Sequence, residues 1–214
     1  MKFAILNPNT HAGMTTAVAT ELARHLPPGT ELAQLTAREG PAVIASRATY
    51  EAGAASALRL ASQVPEDAQA VLLACFGDPG LQALRHALPM PVVGLAEAAM
   101  QAATRRPGRF AVITAGREWH DLLHECAHAY GATDQLLDVY TLDADGSQLV
   151  RDPERFAPTV EMLCRRAADA GASTVIFGGA AFAGLHFQVD ARLEALDVMA
   201  ATAAVLQDPK RPVL

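Results

Sequence analysis

The residues whose types and spacing could do chemistry fall in a few short stretches. Cys75 sits in Ala74-Cys75-Phe76-Gly77-Asp78-Pro79-Gly80, directly after the apolar run Ala70-Val71-Leu72-Leu73. A buried strand there breaks into a glycine-rich turn. A thiol at such a break can carry protons, and a helix beginning at the turn would favour its thiolate through free N–H groups. A second stretch, His124-Glu125-Cys126-Ala127-His128, fits the His-Glu-x-x-His pattern, and His120 lies one helical turn before it. Histidines at that spacing share a helix face and could hold zinc. No downstream His-x-x-Gly-x-x-His follows, and the helix middle lies away from strand ends, so no metal centre is predicted. Asp143-Ala144-Asp145-Gly146 opens like a calcium loop but lacks the later glutamate, and reads as a turn. Cys126 and Cys164 fall inside predicted helices and read as core. Asp78 and His186 read as surface-loop polarity.

Positioning Cys75 requires a scaffold, and the chain shows one. Short apolar runs alternate with longer helical patterns. The predicted strands are Lys2–Leu6, Glu31–Leu35, Ala70–Ala74, Pro91–Gly94, Arg109–Thr114, Leu136–Val139 and Thr174–Phe177. Amphipathic stretches such as Met14–His25, Thr49–Val64, Trp119–Tyr130 and Val160–Ala170 lie between them. This rhythm predicts an α/β fold of parallel sheets flanked by helices.

The chain also resembles itself. Lys2–Asn7 aligns with Arg109–Thr114, and Ala68–Leu81 aligns with Ala172–Leu185. The expected architecture is two pseudo-symmetric domains, each a short parallel β-sheet flanked by helices, with the active-site cleft between them. The first domain is drawn at residues 1–97 and the second at 98–204, with segment 205–214 a candidate to pack back on the first. Loops at the C-terminal strand ends would converge on the cleft. In this register Cys75 faces Gly179, so one half offers a thiol where the other offers hydrogen.

Composition narrows the function classes. The 214 residues carry a net charge of -6 and 51% hydrophobic residues, with no long basic run. Nucleic acid is disfavoured as a partner. No window has the length and apolarity of a transmembrane helix, and the first residues do not read as a signal peptide. An odd cysteine count of 3 suits a cytoplasmic location better than a disulfide framework. Neither GxGxxG nor GxxxxGK[ST] occurs, so no dinucleotide or P-loop site is available.

The ordered motifs identify a family. Asn7-Pro8-Asn9-Thr10 with Met14-Thr15, Pro41–Ser46, Ala74–Leu81, Pro91–Ala99 and Phe110–Thr114 together resemble the aspartate/glutamate/hydantoin racemase superfamily, closest to its hydantoin racemases. The resemblance implies a cofactor-free enzyme, without metal or pyridoxal phosphate. In it two cysteines, one per domain, exchange the α-proton of a small-molecule carboxylate, amino acid or hydantoin. It also implies a homo-oligomer. Cys75 matches the first cysteine. The second normally sits in a pattern like Gly-Cys-Ala-Gly-Met, which here reads Gly178-Gly179-Ala180-Ala181-Phe182.

The expected roles follow. Cys75 is the thiol acid/base, and Gly179 marks the missing second base. Asn9 offers an amide to the substrate, as in the family, and Ser46 and Thr114 are weaker candidates of that kind. The N–H groups of Phe76, Gly77, Ala180 and Ala181 could stabilise an enolate. Phe76, Trp119 and Phe182 could form an apolar wall. One thiol suits a racemase-like enzyme or, alternatively, a one-cysteine decarboxylase or lyase mirroring the arylmalonate decarboxylases, which keep their single cysteine on the other half. A non-catalytic small-molecule-binding relative is the remaining alternative.

Overall fold

A computed structural model describes residues 1–208. The first half runs β1 (Lys2–Asn7), α1 (Ala12–Ala23), β2 (Glu31–Thr36), α2 (Arg47–Ala61), β3 (Ala70–Leu73), α3 (Leu81–Ala87), β4 (Val92–Gly94) and α4 (Leu95–Thr104). The second runs β5 (Arg109–Ala115), α5 (Trp119–Ala129), β6 (Leu136–Leu142), α6 (Gly146–Arg151), α7 (Pro153–Asp169), β7 (Ala172–Gly178), a 3₁₀ turn at Ala180–Phe182, β8 (Glu194–Ala195) and α8 (Val198–Gln207). Two four-stranded parallel sheets result, ordered β2-β1-β3-β4 and β6-β5-β7-β8. The same order in both halves bears out the expected pseudo-symmetry.

The registers agree with the self-alignment residue by residue. Leu6 pairs with Leu73 across β1 and β3, and Ile113 pairs with Phe177 across β5 and β7. Placing Leu6 on Ile113 therefore places Leu73 on Phe177 and Cys75 on Gly179. In each sheet the chain reverses its winding direction between the two central strands. The loops after β1 and β3, and after β5 and β7, open at these switch points.

Strand alternation divides the core. Phe3, Ile5 and Leu72 of the first sheet join Phe110, Val112 and Ile176 of the second in one buried cluster. Their neighbours Ala4, Leu6, Val71 and Leu73 face the other way, with Ala57, Leu60, Leu81 and Leu84 of the outer helices. Ala111, Ile113 and Val175 likewise join Val160, Leu163 and Ala167 of α7. Both faces of each sheet are thus covered, which is why the strands read as continuous apolar runs. The shared cluster fixes one sheet against the other.

Some polar stripes do not face solvent. Eight of the ten residues of α4 are buried, and Glu97 and Gln101, one turn apart, are among them. It contacts β4, β5, β7, α5 and α8, and the boundary drawn between residues 97 and 98 falls inside it. Helix α8 packs on α1 and α4 and against β3 and β4. Of the segment 205–214, residues 209–214 lie outside the described residues. No helix among the described residues is long and apolar enough to cross a membrane.

Helix ends follow local chemistry. Ser46 caps α2 through a reciprocal pair with Thr49, Asp145 does the same for α6 with Gln148, and Asp152 caps α7 ahead of Pro153. The Asp143–Gly146 stretch is accordingly a turn and cap, with Asp143 paired to Arg117 on the surface. Gly80, before α3, takes φ 82°, and a Cβ there would lie 3.1 Å from the Ala54 Cα and carbonyl oxygen of α2. Gly80→Ala should therefore destabilise the fold by about 1–3 kcal/mol through backbone strain. Urea unfolding checks this, and an unchanged midpoint would contradict it.

Candidate active site

A cavity of about 50 Å³ lies at the strand ends between the halves. The first half lines it with Asn9, Met14, Val43, Ile44, Ala74, Cys75 and Phe76. The second half contributes Thr114, Ala115, Trp119, Gly146, Gly178, Gly179, Ala180, Ala181 and Phe182. Cys75 and Gly179 border the same space, as the register requires. Cys75 is the only ionisable side chain among the described lining residues.

The thiol is held differently from the sequence expectation. No helix begins at Cys75; the next one, α3, starts at Leu81. The thiol is buried, and burial is the main cause that pushes its pKa well above the ordinary value, helped by the nearby Asp78 and Cys126. Cys75 therefore rests as a neutral thiol rather than as a thiolate. Cys126 is also buried, and its Sγ donates to the Gly77 carbonyl at 3.4 Å, beside the Tyr50 hydroxyl, which donates to the same oxygen at 2.9 Å. Both hold the turn from behind.

Asp78 is likewise no surface residue. It is 3% exposed and takes φ 54°, a left-handed conformation that few non-glycine residues adopt. Its N–H donates to the Cys75 carbonyl at 2.9 Å, closing the turn. Its carboxylate accepts from the α4 N–H groups of Ala96 and Glu97 and from the Tyr130 hydroxyl at 2.8 Å. Burial raises its pKa to about 7 against these donors, which favour the anion.

Asn9 is oriented by Asn7. Its Oδ1 accepts from Asn7 Nδ2 and from the His11 N–H, both at 2.9 Å. Its own amide group reaches only Met14 Sδ, at 3.7 Å, which leaves it as a donor on the cavity wall. The buried Asn7 also donates to Thr15 Oγ1, so it organises the whole loop after β1. Thr114 borders the cavity and donates to the Gly178 carbonyl at 2.5 Å.

Other expected residues divide. Phe76, Ala180 and Ala181 line the cavity, and their N–H groups have no protein acceptor among the described residues. Gly77 does not line it: with φ 123° its Cα turns against the Trp119 ring. Ser46 is also absent from the wall, because its hydroxyl caps α2; Val43 and Ile44 of the same motif line the cavity instead. The Ser-x-x-Thr spacing of residues 46–49 was the available signal for a cap. Trp119 both lines the cavity and donates from Nε1 to the Ile44 carbonyl at 3.2 Å, joining the two halves. His186 is exposed beside a neighbouring cavity that shares Gly179 and Phe182 with the first.

At Gly179, φ is 148°, a conformation side chains rarely adopt. Space is not the obstacle, since a Cβ there would meet nothing closer than Phe182 at 3.6 Å, with Thr114 Oγ1 at 4.0 Å.

The profile of the family described as Asp/Glu/Hydantoin racemase matches residues 4–206. The chain belongs to this family. Among curated members, the hydantoin racemase of Rhizobium meliloti is 32% identical over 86% of this chain and 78% of its own. The hydantoin racemase of Paenarthrobacter aurescens is 29% identical over 90% of this chain and 83% of its own. An allantoin racemase structure from Klebsiella pneumoniae superposes with a TM-score of 0.87 at 26% identity, covering 97% of this chain and 86% of that one. The racemase-family fold thus agrees with the two-sheet architecture described above.

The raised Asp78 pKa has a signed consequence. The folded chain binds this proton more tightly than the unfolded chain, whose ordinary value is 3.8. The stability contribution is complete below that value and is lost as pH rises towards about 7. Asp78→Asn should remove a fall of up to about 1.4 kcal/mol per pH unit. Urea midpoints of the two proteins at acid and neutral pH check this; a difference between them that stays constant with pH would count against it.

Proposed function

We propose that the protein moves a proton at a carbon next to a carbonyl in a neutral, hydantoin-like ring, with Cys75 as the acid/base. The observation that carries this reading is the pairing of one thiol with one glycine across a cavity that has no other ionisable side chain among the described residues. An amino-acid carboxylate would meet no arginine, lysine or histidine on this wall. A ring with amide N–H and carbonyl groups would meet the Asn9 amide and the free N–H groups of Phe76, Ala180 and Ala181. The hydantoin racemases among its relatives point to the same substrate class.

In this mechanism, the N–H groups stabilise the enolate oxygen as charge develops on it. Cys75 handles the proton on its own face. After passing its own proton to solvent water, the sulfur takes the proton from carbon; in the return step the thiol gives a proton back to the enolate. On the opposite face Gly179 supplies no acid, so inversion depends on water there. A positioned acid or base contributes about 10²–10⁴-fold. One-sided exchange should accordingly outrun inversion.

The test is deuterium entry. A single enantiomer of a 5-substituted hydantoin is incubated in D₂O, with the uncatalysed exchange subtracted, and an arylmalonate is run in parallel. We expect deuterium at the ring carbon, faster than inversion, and its loss in Cys75→Ala. Release of CO₂ from the arylmalonate without hydantoin exchange would favour the one-cysteine decarboxylase. Tight ligand binding with neither reaction would favour the non-catalytic relative.

Gly179→Cys restores the second thiol. It should raise inversion relative to exchange by about 10²–10⁴-fold, while costing about 1–3 kcal/mol of stability from the strained backbone. Chiral chromatography and urea unfolding read the two effects separately. No gain in inversion by a folded, cavity-competent variant would argue against Gly179 as the second-base position.

A further inference from the structure

The histidine motif of α5 takes on a different meaning in three dimensions. His128 is exposed and stays apart from the other two histidines. Its place is taken by Asp138, on the adjacent strand β6. The ligand atoms of His120, His124 and Asp138 lie within 4.8 Å of one another. His120 Nε2 lies 3.3 Å from Asp138 Oδ1, and His124 Nε2 lies 3.5 Å from the same oxygen.

These separations are long for N–H···O hydrogen bonds, which centre near about 2.9–3.0 Å. The 3.3 and 3.5 Å separations lie close to the edge of a tetrahedron, roughly 3.3–3.4 Å, whose arms are the about 2.0–2.1 Å bonds that zinc makes to imidazole and carboxylate, while the wider spread of the set, within 4.8 Å, must close by side-chain rotation on binding. The rings are also oriented. Asp121 Oδ1 accepts from His120 Nδ1 at 2.7 Å, which turns Nε2 towards Asp138. The Val139 N–H donates to Asp138 Oδ1 at 2.8 Å and fixes that carboxylate. A carboxylate behind a ligating histidine is the usual outer shell of a metal site.

We propose that His120, His124 and Asp138 form a binding site for a divalent transition-metal ion of the zinc type. Two imidazoles select such ions over magnesium and calcium, which prefer all-oxygen shells. The His120, His124 and Asp138 side chains are 47%, 41% and 43% exposed, so a fourth position is open to water. The bound ion would fasten α5 to β6. Helix α5 begins at Trp119, whose indole spans the two halves, and carries Glu125, which pairs with Arg47 of α2. The ion would therefore brace the helix that closes the cavity, without joining the cavity itself.

The test uses the untagged, reduced full chain. Zn²⁺ binding is measured by competition with a chromophoric chelator, and Co²⁺ spectra report the ligand type. We expect one equivalent of Zn²⁺ bound by the wild type and by Glu125→Gln. Affinity should fall at least about tenfold in His120→Ala, His124→Ala and Asp138→Asn, and about 10–100-fold in the positioning variant Asp121→Asn. The Co²⁺ adduct should show nitrogen and oxygen ligation. Unchanged affinity in His124→Ala, a thiolate charge-transfer band with Co²⁺, or the absence of saturable binding would each overturn the proposal.

Discussion

The buried carboxylate of Asp78 stands where three parts of the chain meet. Its backbone closes the Cys75 turn, its oxygens receive the first N–H groups of α4, and Tyr130, beyond α5, donates to it from the second half. A carboxylate at a helix start is favourable, but a carboxylate removed from water is not. Three donors make the burial tolerable. They also oblige the chain to keep a non-glycine residue in a left-handed conformation next to the thiol. The shape of the Cys75 loop, the start of α4 and the join between the halves all rest on this one group.

The same low-dielectric surroundings set the character of the cavity. Charge is absent from its described walls, and the polar functions left are an amide, a hydroxyl already used internally, and main-chain N–H groups. Such dipoles act strongly where water is scarce. The thiol responds in the opposite sense: removed from water and near Asp78, it holds its proton. A site built in this way stabilises charge on substrate oxygen better than charge on its own sulfur.

Much of this was legible in the sequence. Strands buried on both faces appear as uninterrupted apolar runs, and the likeness of Ala68–Leu81 to Ala172–Leu185 was enough to align Cys75 with Gly179. What escaped were the features decided by long-range packing. Asp78 looks like a turn residue until Tyr130 and α4 close over it. Helix α4 carries Glu97 and Gln101 one turn apart, a stripe that reads as solvent-facing until both halves bury it. Gly77 is a neighbour of Cys75, but its positive φ sends it towards Trp119 instead of the cavity. Ser46 was legible as a cap, and the competing reading as a substrate contact obscured that simpler role. Asp138 could not be joined to His120 and His124 by spacing alone, since it comes from another element.

The indole of Trp119 carries a further consequence. The cavity it borders, about 50 Å³, has room for only a few water molecules. The apolar core shared by the two sheets allows little sliding of one past the other. The local tie is the hydrogen bond from the indole to the Ile44 carbonyl. One side chain at the start of one helix is thus both a wall of the cavity and a tie between its two halves, so its loss would widen the space and loosen the join at once.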